Sequence, residues 1–183
     1  MAITLNGTTG ITTPDLASTD DITANGATVL TSASTTVLPK GVPAFFAYLG
    51  SNQTGISNNI ATTVQLNTES YDTNGFFNTS SYRFEPTIAG HYQLSAGVVN
   101  PDAATTAYVQ VDIVGSSPSK SGSSSTGYAG VLYARSVVSA LLYFNGTTDY
   151  AYITVYGGSS GGTYSLLGGA AQCWFCGHLA RAE

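Results

Sequence analysis

Residues 66–96 read LNTESYDTNGFFNTSSYRFEPTIAGHYQLSA, and the punctuation of this stretch decides the fold. Its last part runs on to Val99 as GHYQLSAGVV and alternates: His91, Gln93, Ser95 and Gly97 take one face of an extended chain, while Tyr92, Leu94, Ala96 and Val98 take the other. The second set is apolar throughout and belongs in a core or against a neighbouring subunit. Upstream, Asp72-Thr73-Asn74-Gly75 is a turn signal, because Asp bonds to its own backbone and Gly takes the positive φ that tight turns need. Phe84, just before Pro86, is expected inside, with Gly90 at the tight start of the next strand. Extended runs joined by turns of this kind describe antiparallel strands.

The same texture continues on both sides. From Pro43 onward, AFFAYL, IATTVQL, SSYRFEP, AYVQVDIVG, GYAGVLYARSVVSALLYF, DYAYITVYGG and AQCWFCGHLA are short apolar or alternating runs. Clusters such as NPDAATT, SSPSKSGSSSTG, FNGTTD and GGSSGGT separate them. Eight or more strands at this spacing predict a sandwich or barrel. SVVSALLYF has helix-like local pattern, but its β-branched start and the turn after it argue for a strand.

Composition agrees. Of 183 residues only 8% are charged, and the formal net charge is −5. Strong helix formers are scarce, which favours an almost all-β chain. Five Lys and Arg residues cannot track a phosphate backbone, so nucleic acid is not an expected partner. No run approaches the ~20 apolar residues of a membrane helix, and membrane insertion is not expected. The N-terminus also lacks the cationic start and apolar core of a signal peptide. The expectation is therefore a soluble protein that reaches its site by lysis or as part of a particle.

Residues 1–40 differ from the rest: they contain no aromatic residue and cannot build a core of their own. They do nearly repeat themselves, with Ile3, Thr4, Asn6, Gly7, Thr9, Ile11 and Thr12 returning nineteen residues later as Ile22, Thr23, Asn25, Gly26, Thr28, Leu30 and Thr31. An Asn-Gly pair flanked by β-formers is a hairpin signal. Two near-repeats do not make a solenoid. The segment is thus expected to be an extended arm, 1–40, that finds partners on other chains through Ile3, Leu5, Ile11, Ile22, Val29 and Leu30, with a single domain over 41–183.

Asp72, Phe77, Phe84, Gly90 and Tyr92 stand at the separations of the C1q/TNF-like jelly-roll signature, and the 66–96 stretch resembles that family. PAFFAYL at Pro43 looks like the family's first strand, and FCGHL, Phe175 to Leu179, like its closing Phe-x-Gly-x-Leu strand. Leu66, Leu94 and Ala96 replace aromatics of the pattern, and all three remain apolar. The resemblance implies a two-sheet jelly roll of about ten strands that assembles as a homotrimer and works by binding. It assigns core or trimer packing to Phe45, Phe77, Phe84, Gly90, Tyr92, Leu94, Trp174, Phe175 and Leu179. The opening, MAITLNGTTGITTP, looks like the short N-terminal pieces of bacteriophage tail-fibre and other virion proteins.

Signals for chemistry are sparse. Cys173 and Cys176 form a CxxC, but residues three apart on a strand face opposite ways, so one is expected to be a buried apolar group. Cys176 and His178 share a face, yet two ligands do not close a zinc site. Glu69, Asp72, Glu85 and Asp102 are candidates for a glycosidase pair that nothing in the sequence brings together. His91 and His178 lack a GxSxG partner. Asp102 and Asp112 offer oxygen ligands for calcium without an EF-type loop, and no cofactor or metal is expected. Among the twelve tyrosines, Tyr128 and Tyr164 lie in Gly/Ser-rich stretches that read as loops, and these two are the candidate ligand contacts.

The function expected from these features is a non-enzymatic, homotrimeric virion protein of the tail-fibre or receptor-binding type. Its partners would be itself, other virion proteins through the arm, and a host-surface polysaccharide or protein. A capsid decoration protein is the second reading, and a tail-associated polysaccharide depolymerase the third.

Overall fold

The computed structural model describes residues 22–24, 27–30, 42–101, 108–116, 126–128 and 133–183. The chain divides into two units, Met1–Lys40 and Gly41–Glu183. In the first, β1 (Ile22–Ala24) and β2 (Ala27–Leu30) pair antiparallel, with Asn25-Gly26 between them in the sequence. Ile3, Leu5 and Ile11 lie outside the described residues.

The second unit is all β. Its strands are β3 (Ala44–Tyr48), β4 (Gln53–Ser57), β5 (Thr62–Thr63), β6 (Thr68–Asp72), β7 (Phe77–Asn78), β8 (Arg83–Phe84), β9 (Gly90–Asn100), β10 (Tyr108–Gly115), β11 (Thr126–Tyr128), β12 (Ala134–Phe144), β13 (Ala151–Gly158), β14 (Thr163–Leu166) and β15 (Trp174–Ala182). Three of these thirteen are two-residue pairings, which leaves ten strands of three residues or more. One sheet runs β12-β9-β15-β3-β6; the other runs β11-β10-β13-β8-β7 with β5 against β13, and β14 pairs with β4. All of these pairs are antiparallel. The SVVSALLYF run is strand, and Ala134, Ser136, Val138, Leu142 and Phe144 along β12 turn inward.

The core lies between the two sheets and is built by alternation. On β9, Tyr92, Leu94 and Ala96 are fully buried while His91, Gln93 and Ser95 are half-buried on the outer face. Opposite them stand Val109, Val111 and Ile113 of β10 and Ala151, Ile153 and Val155 of β13. Phe45 is the hub of an aromatic cluster, with ring centroids 4.4 Å from Phe84, 5.0 Å from Phe175 and 5.4 Å from Phe77. Phe84 also meets Tyr92 at 5.2 Å and Phe144 at 5.6 Å, both edge-on, the geometry that aromatic quadrupoles favour. The buried Tyr92 phenol donates to the Ile88 carbonyl at 2.9 Å, so its polar end is satisfied.

Tight passages are glycine. A Cβ on Gly177 would stand 2.4 Å from Leu94 Cδ2, and Gly90, at φ 155°, faces the Arg181 carbonyl at 2.4 Å from a would-be Cβ. Both positions therefore exclude any side chain.

Candidate functional site

Asp72, the first residue of the family-like pattern, holds a turn. Its Oδ1 accepts from the Asn74 and Gly75 N–H groups at 3.2 and 2.9 Å, and Oδ2 accepts from the Phe77 N–H at 2.6 Å. Both carboxylate oxygens are thus committed to backbone. Glu69, exposed on the same strand, has its pKa raised by partial burial and by the Asp72 charge. Glu85 accepts from the Ser81 hydroxyl at 3.2 Å, and Asp102 lies outside the described residues. Among the described residues no group of three or more His, Cys, Asp or Glu is placed to hold a metal.

The CxxC splits across the sheet. Cys173 is fully buried with its Sγ accepting from the Val99 N–H at 3.2 Å, and burial pushes its thiol up to about 11. Cys176 is half-buried on the outer face and also raised by burial; both cysteines are free.

The outer face of the five-stranded sheet carries aromatic and apolar groups on either side of a polar centre. Tyr71 of β6, Phe46 of β3 and Trp174 of β15 run in a row, with ring centroids 6.3 Å and 6.0 Å apart. Trp174 sits opposite Gly97 of β9, which in turn sits opposite Val137 of β12. Val137 is 58% exposed and Leu141, on the same face, 57%. Tyr143, opposite His91, is also exposed. In the middle lies a small polar row in which Gln93 Nε2 donates to Ser139 Oγ at 2.7 Å and Ser95 Oγ lies 3.0 Å from the same hydroxyl.

The outer face of the six-stranded sheet is different in kind. Tyr152, Thr154 and Tyr156 of β13 point outward between the buried Ile153 and Val155. They are joined by Gln110 and Asp112 of β10, whose side chains are linked at 3.1 Å. Arg83 lies over the Tyr150 ring at 4.1 Å and the Tyr152 ring at 5.8 Å.

Phe45, Phe77, Phe84, Tyr92, Leu94 and Phe175 lie in the core, where Gly90 is also buried, and Leu179 packs against it. Trp174 is half-buried on the outer face. Two expectations are corrected. Tyr128 lies on strand β11, opposite Tyr108, not in a loop; its side chain is outside the described residues. Tyr164 lies on β14 and is 1% exposed, so it cannot stack on a ligand from solvent. The reason is long-range: β14 pairs with β4, and the ring fills space left by Gly157, where a Cβ would meet Tyr164 Cζ at 3.0 Å. Local sequence shows only the Gly/Ser-rich flank. The outward tyrosines of β13 were missed although their alternation was visible, because periodicity does not say which side of a strand faces solvent.

Two packed antiparallel sheets with this strand order and this aromatic core make the unit a C1q/TNF-like jelly roll. The globular domain of zebrafish complement 1qA superposes with a TM-score of 0.57 at 17% identity, covering 78% of this chain and 100% of that one. Murine APRIL gives 0.55 at 10% identity over 76% of this chain and 99% of its own. The vertex protein P5 of PRD1 gives 0.53 at 17% identity over 77% and 99%. No protein-family model matches the sequence, and no curated protein matches it.

Proposed function

We propose that the chain is a homotrimeric virion protein that binds rather than catalyses, with its jelly-roll unit presented to a host surface and residues 1–40 attached to the particle. The observation that carries self-association is the outer face of the five-stranded sheet. Tyr71, Val137, Leu141 and Tyr143 are exposed beside the half-buried Phe46 and Trp174, and a second and third copy would cover these apolar groups. Trp174, half-buried on that face, belongs to this reading, as does attachment through Ile3, Leu5, Ile11, Ile22, Val29 and Leu30. The likeness to the PRD1 vertex protein P5, together with the opening sequence, supports a place on a virion. Three weak sites on one rigid trimer bind a repetitive surface far more tightly than one.

A second reading, a capsid decoration protein capping three-fold positions and stabilising the shell, draws support from the likeness to a virion vertex protein. Gold-labelled antibody against the protein on intact virions separates the two. Label at the tail tip supports host recognition, label over the head supports decoration, and virions without label overturn both. A solution mass three times 18.8 kDa is expected for the chain. A monomer at micromolar concentration overturns the trimer.

A further inference from the structure

The tyrosine-bearing face of the six-stranded sheet has the chemistry of a binding strip. Along β13 the outward residues are Tyr152, Thr154 and Tyr156, and across the β10–β13 pair Asp112 stands opposite Thr154 and Gln110 opposite Tyr156. Tyr150, just before β13, lies with its ring 6.2 Å from that of Tyr152, and Arg83 sits over the Tyr150 ring at 4.1 Å and 5.8 Å from the centre of Tyr152. At the other end the Tyr108 ring is 6.2 Å from Tyr156, and the Tyr108 phenol donates to Asn59 Oδ1. Four steps along the strand lead from Tyr152 to Tyr156, or about 13 Å, the reach of a short oligosaccharide. The rings are half-buried and braced by their neighbours, so they lose little freedom when a ligand lies on them.

We propose that this strip binds a neutral, hydroxyl-rich saccharide chain. Phenol rings give flat apolar faces for the C–H faces of pyranose rings, and the Asp112 carboxylate, Gln110 amide, Thr154 hydroxyl and phenols exchange hydrogen bonds with sugar hydroxyls. The charge pattern selects a neutral polymer. Among the described residues of this sheet Arg83 is the one cation, Asp112 sits in mid-strip, and the chain carries a net −5, which repels polyanions. The residue types select sugar over protein. The exposed Val137, Leu141, Tyr143 and Tyr71 lie on strands of the other sheet, while along β10 and β13 Val114 is the one aliphatic, among the described residues, beside outward Tyr, Thr, Gln and Asp. The inference rests on the host-surface reading above and moves the ligand contact from Tyr164 to Tyr152 and Tyr156.

The test is calorimetric titration of the full chain with cellohexaose, maltohexaose and mannohexaose, with heparin as the polyanion. At least one neutral hexaose is expected to bind, and Tyr152→Ala and Tyr156→Ala are each expected to weaken it about tenfold. Tyr156→Phe, which keeps the ring, should retain most of the affinity. Asp112→Asn leaves the packing in place and should weaken binding as well, so the proposal stays open to test if an alanine variant misfolds. Trp174 fluorescence should not change on titration, because the indole lies on the other sheet's outer face. Absence of binding to all three hexaoses overturns the proposal, as does affinity that survives the Tyr152→Ala/Tyr156→Ala double variant or that goes to heparin instead. A labelled, trimeric virion protein that binds no hexaose loses this inference alone. Hexaose binding by a protein absent from virions loses the virion reading alone.

Discussion

Trp174 covers Gly97 across the β9–β15 pair so closely that a Cβ at position 97 would stand 2.8 Å from the indole Cε2 and Nε1. The glycine is what lets the indole settle onto the outer face, between Gly97 and the Phe46 ring. Gly97→Ala is expected to displace the ring, costing about 1–3 kcal/mol in urea unfolding and shifting Trp emission to the red. Gly161→Ala is the control, since its Cβ would meet nothing nearer than 3.9 Å, and should leave both readouts within error. Equal effects from the two substitutions would contradict the close fit.

The Asp72 carboxylate serves three backbone N–H groups at once, and through Phe77 it ties the turn to the aromatic cluster. Asp72→Ala strands those donors and is expected to cost about 2–3 kcal/mol, the range for hydrogen bonds to a charged acceptor. Asp72→Asn, which keeps one oxygen, should fall between the two. A catalytic role predicts the opposite pattern, in which sugar release is lost at unchanged stability.

Much of this architecture is legible in the sequence. The alternation in GHYQLSAGVV places Tyr92, Leu94 and Ala96 inside because a strand with one buried face shows its period directly. The family-like spacing from Asp72 to Tyr92 reads through because it fixes a turn, an aromatic cluster and a Gly-bounded strand start within one continuous block. Strands β4, β6 and β14 are not legible locally: QTGIS, TESYD and TYSL are short, polar and next to glycine-rich turns, and only pairing with distant strands makes them extended. The binding strip was hidden for the same reason, since Arg83 meets Tyr150 and Tyr152 only when β8 docks beside β13.

Cys173 gives the fold an alkaline weakness. Its folded thiol is raised from 9.0 to about 11 by burial, so unfolding releases a proton wherever the pH lies between those values. A group raised in the folded state stabilises below its unfolded pKa and loses that contribution as pH climbs through the folded one. Stability is therefore expected to fall from pH 9 to 11, and the fall should be shallower in Cys173→Ala, whose pH 8 stability will be lower because of the lost packing. Thermal melts at half-unit pH steps check this; parallel curves for parent and variant would remove the thiol from the explanation. Alkylation at pH 8 should label Cys173 only on unfolding, because the reactive species is the thiolate and this one is both buried and suppressed.

Val137 and Leu141 stand on the same face of β12, two of the most exposed large apolar side chains among the described residues. Placing a lysine there adds a charge that water accepts and a packed interface does not. Val137→Lys and Leu141→Lys are each expected to lower the solution mass toward 18.8 kDa while leaving the far-UV circular dichroism unchanged, because neither side chain contributes to the core. The strip on the opposite sheet then supplies an independent reading. A monomeric Leu141→Lys should keep the affinity of each site for a soluble hexaose but lose retention on an immobilised polysaccharide, since only the multivalent term has been removed. If both lysine variants stay trimeric, the copies meet through some other surface and the five-stranded face is open to solvent or to a different partner. If mass and hexaose affinity fall together, the two faces are coupled and the strip is completed by a neighbouring copy.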